Sequence, residues 1–247
     1  MIFIVFIAGA AQKPFSLSAI KADGKLHVVF FDVGQGDSEL IVTPDGADIL
    51  IDGGPDGKIS ELLGEALPPY DRNIELIILT HPHADHLSGL VDVLKHYKVD
   101  KIMMTGVKIG SYTQEEWLRQ IGNLGIPVIF PNKGDRLEYG GAVLEVISPD
   151  KSYPKSIRAS GNGDSEINDT SVVLSVAYGD DSILFMGDAG EEIEKHILPF
   201  LPSGIDILKV GHHGSKYSSG ADFIKEISPQ YAVISSGADN KYGHPSY

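Results

Sequence analysis

The stretch Ile74 to Leu94, IELIILTHPHADHLSGLVDVL, constrains the fold more than any other part of the chain. An apolar run long enough for one buried strand stops at Thr80. Three histidines and an aspartate follow within six residues, and Leu87, Leu90, Val91 and Leu94 then recur at helical spacing. The pattern predicts a strand, a histidine-rich loop and a helix, so a sheet must bury the strand and leave its end open to a site. In an extended segment alternate side chains point the same way, which aims His81 and His83 at one point. Asp85 and His86, where the chain turns into the helix, face a second point nearby. Neutral imidazole and carboxylate suit zinc and related divalent ions. Four residues do not fill two coordination spheres, so other strand ends must supply the rest.

Two other strand ends carry suitable residues. LFMGDAG ends a strand with Asp188, whose carboxylate can bridge two cations, and LKVGHHGS ends another with His212 and His213. Taken singly, a Gly-Asp after a strand is ordinarily a turn, and paired histidines are often incidental. Together, three such ends in one chain point to a two-metal layout. The absence of cysteine removes disulfides, thiolate nucleophiles and thiolate zinc sites, leaving histidine and carboxylate as the ligands.

Around this centre the pattern reads as strands and helices in two rounds. LHVVFFDVG, SELIVTP and ADILIDGG are short strands, the last two joined by the turn PDG, and ISELLGEAL is a short helix closed by Pro68 and Pro69. VDKIMM, TQEEWLRQIGNLG and IPVIF continue as strand, helix and strand, with Thr113 and Glu116 expected as a capping box and Gly125 as the stop. GDRLEYGGAVLEVISP is a hairpin, residues 149–169 a long irregular loop, and TSVVLSVAYGDDSILFMGDAG two strands around GDD. A helix (EEIEKHILPFL), a strand (IDILKV), a short helix (ADFIKEI) and a last strand (QYAVISSG) follow. Two sheets packed face to face with helices outside are expected, an α+β architecture.

HPHADH, GDAG and GHHGS resemble the metallo-β-lactamase superfamily. FFDVGQGDSELIVTPDGADILIDGG, NDTSVVLSV, LKVGHHGSKYS and AVISSGADNKYGHP are more closely similar to the metallo-β-lactamase-like domain of ComEC-type DNA-uptake proteins. The resemblance runs from about Leu26 to the carboxyl end. It implies a four-layer αββα sandwich over residues 23–247, with the site at one edge. Such domains usually continue past YGHP, so a second half-sandwich left partly uncovered is expected.

The resemblance further implies two divalent metal ions, zinc with manganese as the alternative. His81 and His83 would hold the first, Asp85 and His86 the second, and Asp188 would bridge. One histidine of the HHGS pair would complete the second site, with His212 preferred and His213 open. Many superfamily members place a histidine before the strand carrying SVVL. Here that region holds Asn168 and Asp169, so Asp169, Asn168 or water would complete the first site. Asp37, in the loop DVGQGDS, would border the site and order ligands or water.

Metal-activated hydroxide would attack the substrate, with Asp85 orienting it. His244, the remaining histidine of the 212/213 pair (His213), Ser215 and Lys216 are candidates to clamp a phosphodiester or protonate its leaving oxygen; Lys216 also reads as a plain surface residue. His27, His96 and His196 read as structural or surface residues without partners. The implied activity is a phosphodiesterase or nuclease, with DNA as substrate and a membrane DNA-uptake channel as partner. A phosphorylcholine or other small phosphoester is the alternative substrate. A diiron redox role fits less well, since such members usually place a carboxylate where His83 stands. A non-catalytic metal-binding module is the remaining class. A formal charge of −14 gives no general affinity for nucleic acid, whose binding is driven by cationic side chains, so any anionic substrate needs the metals as a local positive centre.

Residues 1–22 read as a leader. Ile2 to Ala11 is apolar, with small residues at Ala8 and Ala10, which suits a secretory signal or the remnant of a membrane anchor plus linker, although a basic flank is missing. The expected location is secreted or otherwise extracytoplasmic. The stretch is too short to span a bilayer alone, and an apolar first strand is the competing reading.

Overall fold

The structure, a computed structural model, describes residues 2–7, 20–152, 163–202 and 204–246. The first half contains β1 (Ile2–Ile7), β2 (Leu26–Phe31), β3 (Glu39–Val42), β4 (Asp48–Ile51), α1 (Lys58–Ala66), β5 (Asn73–Ile74), β6 (Leu76–Leu79), α2 (Ala84–His96), β7 (Lys98–Val99), β8 (Ile102–Met104), α3 (Tyr112–Leu124) and β9 (Val128–Ile129). The second contains β10 (Arg136–Tyr139), β11 (Ala142–Ser148), α4 (Asp164–Asn168), β12 (Val173–Tyr178), β13 (Asp181–Phe185), α5 (Glu191–Ile197), β14 (Ile207–Lys209), α6 (Ala221–Ile227) and β15 (Tyr231–Val233). One sheet runs β1-β2-β3-β4-β6-β8-β9 and the other β10-β11-β12-β13-β14-β15, while β5 and β7 form a small separate pair.

Alternation along the central strands explains the layering. All four residues of β4 and of β6 are buried, as expected of strands covered on both faces. Leu50, Ile77 and Leu79 join Leu63, Leu90, Val93 and Trp117 in one core beneath α1, α2 and α3. Their alternates Ile49, Ile51, Leu76 and Ile78 meet Leu144, Val146, Val176 and Phe185 of the second sheet in another. A third core, with Leu184, Leu208, Ile193 and Phe223, lies under α5 and α6. The order is helices, sheet, sheet, helices: the expected αββα sandwich.

Within the first sheet β4, β6 and β8 are parallel, and in the second β13, β14 and β15 are parallel. Their carboxyl ends carry Asp52, His81, Asp188 and the HHGS loop. This is where ligands collect in open α/β sheets. Glycine lets helix α2 settle close to that edge. A Cβ on Gly89 would fall on the carbonyl oxygen of Gly53, and the Gly53 N–H donates to the His86 carbonyl at 2.7 Å.

Two local expectations are corrected. Helix α3 begins at Tyr112, so its cap is Ser111, whose hydroxyl accepts from the Gln114 N–H at 3.2 Å. Gln114 Oε1 accepts from Ile109 N–H at 2.8 Å, and Thr113 lies inside the first turn. Gly125 stops the helix at φ 66°, as read from sequence. The 149–169 segment is not irregular throughout, because Asp164–Asn168 forms α4; residues 153–162 lie outside the described residues. Ile2–Ile7 pairs in parallel with β2 as an apolar strand, and Ala8 and Ala10 lie outside the described residues.

Candidate metal centre

His81 and His83 converge as the alternation predicts, with His81 Nε2 and His83 Nδ1 3.1 Å apart. The buried His81 Nδ1 faces the Thr80 hydroxyl at 3.1 Å. That hydroxyl donates to Asp52 at 2.6 Å, so it accepts from His81 Nδ1–H and leaves Nε2 with its lone pair toward the site. His86, also fully buried, donates from Nδ1 to Asp52 Oδ2 at 2.7 Å, and its Nε2 lies 3.3 Å from Asp188 Oδ1. Asp52 thus fixes both imidazoles in the tautomer a cation needs. Its signal was thin: a strand-final aspartate before two glycines reads as a turn.

Asp188 stands between two sets. His81, His83 and Asp188 bring ligand atoms together, and Asp85, His86 and His213 form a second group. Asp188 Oδ2 lies 3.7 Å from His81 Nε2, while Oδ1 lies 3.6 Å from His213 Nε2. The preference for His212 is corrected in geometry: His213, not His212, joins Asp85, with His213 Nε2 3.5 Å from Asp85 Oδ2. Both histidines are left-handed, at φ 49° and 54°. His213 Nδ1 is anchored by the Ser235 carbonyl at 3.0 Å and by Asp37 Oδ1 at 3.2 Å. His212 instead turns toward Asn168, whose amide donates to His212 Nε2 at 3.2 Å.

Asp169 does not join either set. Its Oδ1 accepts from the Gly190 N–H at 3.4 Å, which turns it toward that backbone, and the residue beside the centre is Asn168. His244 lines the mouth of the centre with Asp85 and His213, its ring 5.6 Å from that of His212. Ser215 is buried and accepts from Tyr217 N–H at 3.3 Å, and Lys216 lies 5.0 Å from the Tyr217 ring. The three other histidines have carboxylate partners, contrary to expectation: Asp23 for His27 at 2.9 Å, Asp92 for His96 at 3.6 Å and Asp150 for His196 at 3.2 Å.

Behind the centre lies an ion network that the sequence did not disclose. Lys209, 1% exposed, donates to Asp37 Oδ2 at 2.6 Å and lies 4.0 Å from Glu39 Oε1. Burial opposes the charge on Asp37, but Lys209 and His213 outweigh it and hold its carboxyl at about 2. Glu39 is driven well above the usual range by burial and by Asp37. Asp37 also comes within ligand reach of His86 and Asp188.

The residues fit divalent cations. His83 Nε2, His86 Nε2, His213 Nε2 and Asp188 Oδ1 are buried and lack a hydrogen-bond partner among the described residues, a costly arrangement unless something electrophilic sits among them. The local field asks for positive charge. Burial disfavours imidazolium at His86, yet Asp188 and Asp52 raise it well above its ordinary range; His213, likewise opposed by burial, is raised to about 10 by Asp188 and Asp37. His81 is pushed well down, by burial first and by His86 second. Asp188, despite burial, is held well below the carboxylate range by His86 and His213.

A strand-end centre of histidine and aspartate on an αββα sandwich defines a class, and the sequence profile of the metallo-beta-lactamase superfamily matches residues 31–150 and 167–238. The chain belongs to the metallo-β-lactamase superfamily, a superfamily of metal-dependent hydrolases. Among individual proteins it is similar to ComE operon protein 3 of Bacillus subtilis, at 30% identity over 94% of this chain and 30% of that protein. Recombination protein 2 of Haemophilus influenzae matches at 31% over 87% of this chain and 25% of its own length. Competence protein ComA of Neisseria gonorrhoeae matches at 28%, covering 91% of this chain and 29% of that protein. The chain thus spans less than a third of each of these relatives. Two solved structures share the fold. CmlA, a diiron beta-hydroxylase from Streptomyces venezuelae, aligns at TM-score 0.54 and 14% identity, over 86% of this chain and 47% of that one. A protein from Parabacteroides distasonis aligns at 0.51 and 16%, over 92% and 90%.

Proposed function

We propose that the chain is a two-metal phosphodiesterase that cleaves DNA outside the cytoplasm, working beside a membrane DNA-uptake channel. The observation that carries the reading is Asp188, whose carboxylate lies between His81 on one side and His86 and His213 on the other, with its Oδ1 and the Nε2 atoms of His83, His86 and His213 buried without a hydrogen-bond partner among the described residues. Its relatives' competence names support the substrate and the partner.

His81 and His83 would hold one ion and Asp85, His86 and His213 the other, with Asp188 between them; manganese and zinc both suit this oxygen and nitrogen set. Such ions lower the pKa of water from about 15.7 toward ~7 and offset charge growing on a substrate oxygen. The chain's own residues do the rest. Asp85, depressed below the carboxylate range because His213 and His86 outweigh its burial, stays ionised, as a residue that ligates a cation and orients the attacking hydroxide must. Asp52 and Asp37 keep the ligand rings from turning. His244 and His212 line the cavity of about 250 Å³ in front of the centre, where they can contact phosphoryl oxygens or protonate a leaving alkoxide.

Purified protein with manganese or zinc, assayed on oligonucleotides, bis-p-nitrophenyl phosphate and phosphorylcholine esters with and without chelator, tests the reading. Metal-dependent diester cleavage abolished by chelator is expected. Absence of cleavage of every diester, with metal bound, would refute it.

A further inference from the structure

Two exposed tyrosines line cavities next to the metal centre, each beside a lysine. Tyr242 is 57% exposed, its ring is stacked on His244 at an interplanar angle of 13° and 5.8 Å, and Lys241 Nζ lies 5.1 Å from its centroid. Tyr217 is 66% exposed, with Lys216 Nζ 5.0 Å from its centroid. Neither ring is needed for the core. Both line cavities that open into the centre. The cavity in front of the metals shares Gln35, Asp85 and Tyr242 with a neighbour of about 450 Å³. It also shares Asn168, Asp188 and His212 with one of about 540 Å³ that reaches Tyr217. Through these shared residues the three adjoin as one trough, with the cavity before the metals in the middle.

Resting on the phosphodiesterase reading, we infer that this trough takes a single-stranded polynucleotide, with one base stacked on Tyr242 and one on Tyr217 and the scissile phosphate between them at the metals. A chain carrying −14 cannot hold a polyanion by general charge, so affinity must come from local terms. Stacking on an aromatic face is one of these; it is indifferent to sequence and needs a base already free of its duplex partner. The lysine beside each ring supplies a phosphate contact. The two arms are unequal. Acids line both, Glu191 and Glu192 beside Tyr217 and Asp239 beside Tyr242, but Lys241 itself lines the Tyr242 cavity, whereas the lysine lining the Tyr217 cavity, Lys195, is tied to Glu191 at 2.9 Å. The Tyr242 arm is therefore the stronger hold.

The test is a cross of variant and substrate on the manganese-loaded full chain. A 5′-labelled single-stranded oligonucleotide is compared with the same strand carrying abasic residues at its central positions and with its duplex, by cleavage kinetics and by anisotropy in parallel. The parent is expected to bind the base-bearing strand about tenfold or more tighter than the abasic one, and to prefer it to the duplex. Tyr242→Ala erases the base-bearing advantage, Tyr242→Phe restores it, and Lys241→Ala lowers the salt slope of binding by about one. Equal affinity of the parent for base-bearing and abasic strands, preference for duplex, or an undiminished advantage in Tyr242→Ala would overturn the inference. So would hydrolysis of glycerophosphocholine with no binding of DNA, which would assign Tyr217 and its acidic neighbours to a quaternary ammonium. Tight, base-dependent binding without cleavage would leave the inference standing and refute the phosphodiesterase reading.

Discussion

Strand β4 carries a buried aspartate at each end, and the two have opposite circumstances. Asp52, at the carboxyl end, is met by the Thr80 N–H and hydroxyl and by His86. Asp48, at the amino end, is 2% exposed, its Oδ2 lacks a hydrogen-bond partner among the described residues, and its charged neighbours are Asp71 and Glu75. Burial first, then those two acids, push Asp48 up to about 8. Burial raises Asp52 as well, but His86 and Thr80 pull against it. Burial raises both, yet one aspartate is a hydrogen-bonded group that orients a ligand and the other a neutral acid among acids. The partners make that difference.

The contrast breaks first at the metals. Asp188→Ala removes the shared carboxylate and is predicted to lower metal affinity by more than about 100-fold, beyond the 10–100-fold typical of a residue that only orients a ligand; isothermal titration with manganese measures it. Lys209→Met leaves Asp37 buried without its cation and should destabilise the fold by about 3–5 kcal/mol in urea melts with chelator, with Asp37→Asn in the same chain recovering much of the loss. Asp52→Asn keeps the shape but loses the charge that sets the His86 tautomer, so metal affinity should fall about 10–100-fold with the fold intact.

At the other end of the strand the expected effect is smaller and reversed in sense. A buried acid whose carboxyl is raised from 3.8 to about 8 holds a proton in the folded chain that the unfolded chain releases. Stability therefore falls as pH rises between those values and is level outside them. Asp48→Asn should match the parent near pH 4 and exceed it by about 1–3 kcal/mol above pH 8. Denaturation at both pH values, with chelator, reads this directly. Smaller still, Ser111→Ala should cost about 1 kcal/mol and Thr113→Ala little, which separates the two caps proposed for α3.

What could be read from the sequence follows the same division between contiguous and assembled features. His81, His83, Asp85 and His86 were legible because strand alternation and the turn into α2 aim them, and Asp188 because a strand leads into it. Asp52 was missed because its meaning depends on Thr80 and His86, which are distant in sequence. The choice of His213 over His212 depends on two consecutive left-handed residues and on anchoring by Ser235 and Asp37, none of which alternation can foretell. Lys209 reads as one cation in a strand until β14 is set beside the loop that carries Asp37. The layers of the sandwich were legible from the order of strands and helices, whereas the cap of α3 failed by two residues because Ser111 and Thr113 are both capping types.

Anomalous diffraction from manganese-loaded crystals tests the central claim most directly. Two peaks are predicted, one against His81 and His83 and the other against Asp85, His86 and His213, with the Asp188 carboxylate touching both. Peaks elsewhere, or a single ion that Asp188 does not touch, would contradict the account.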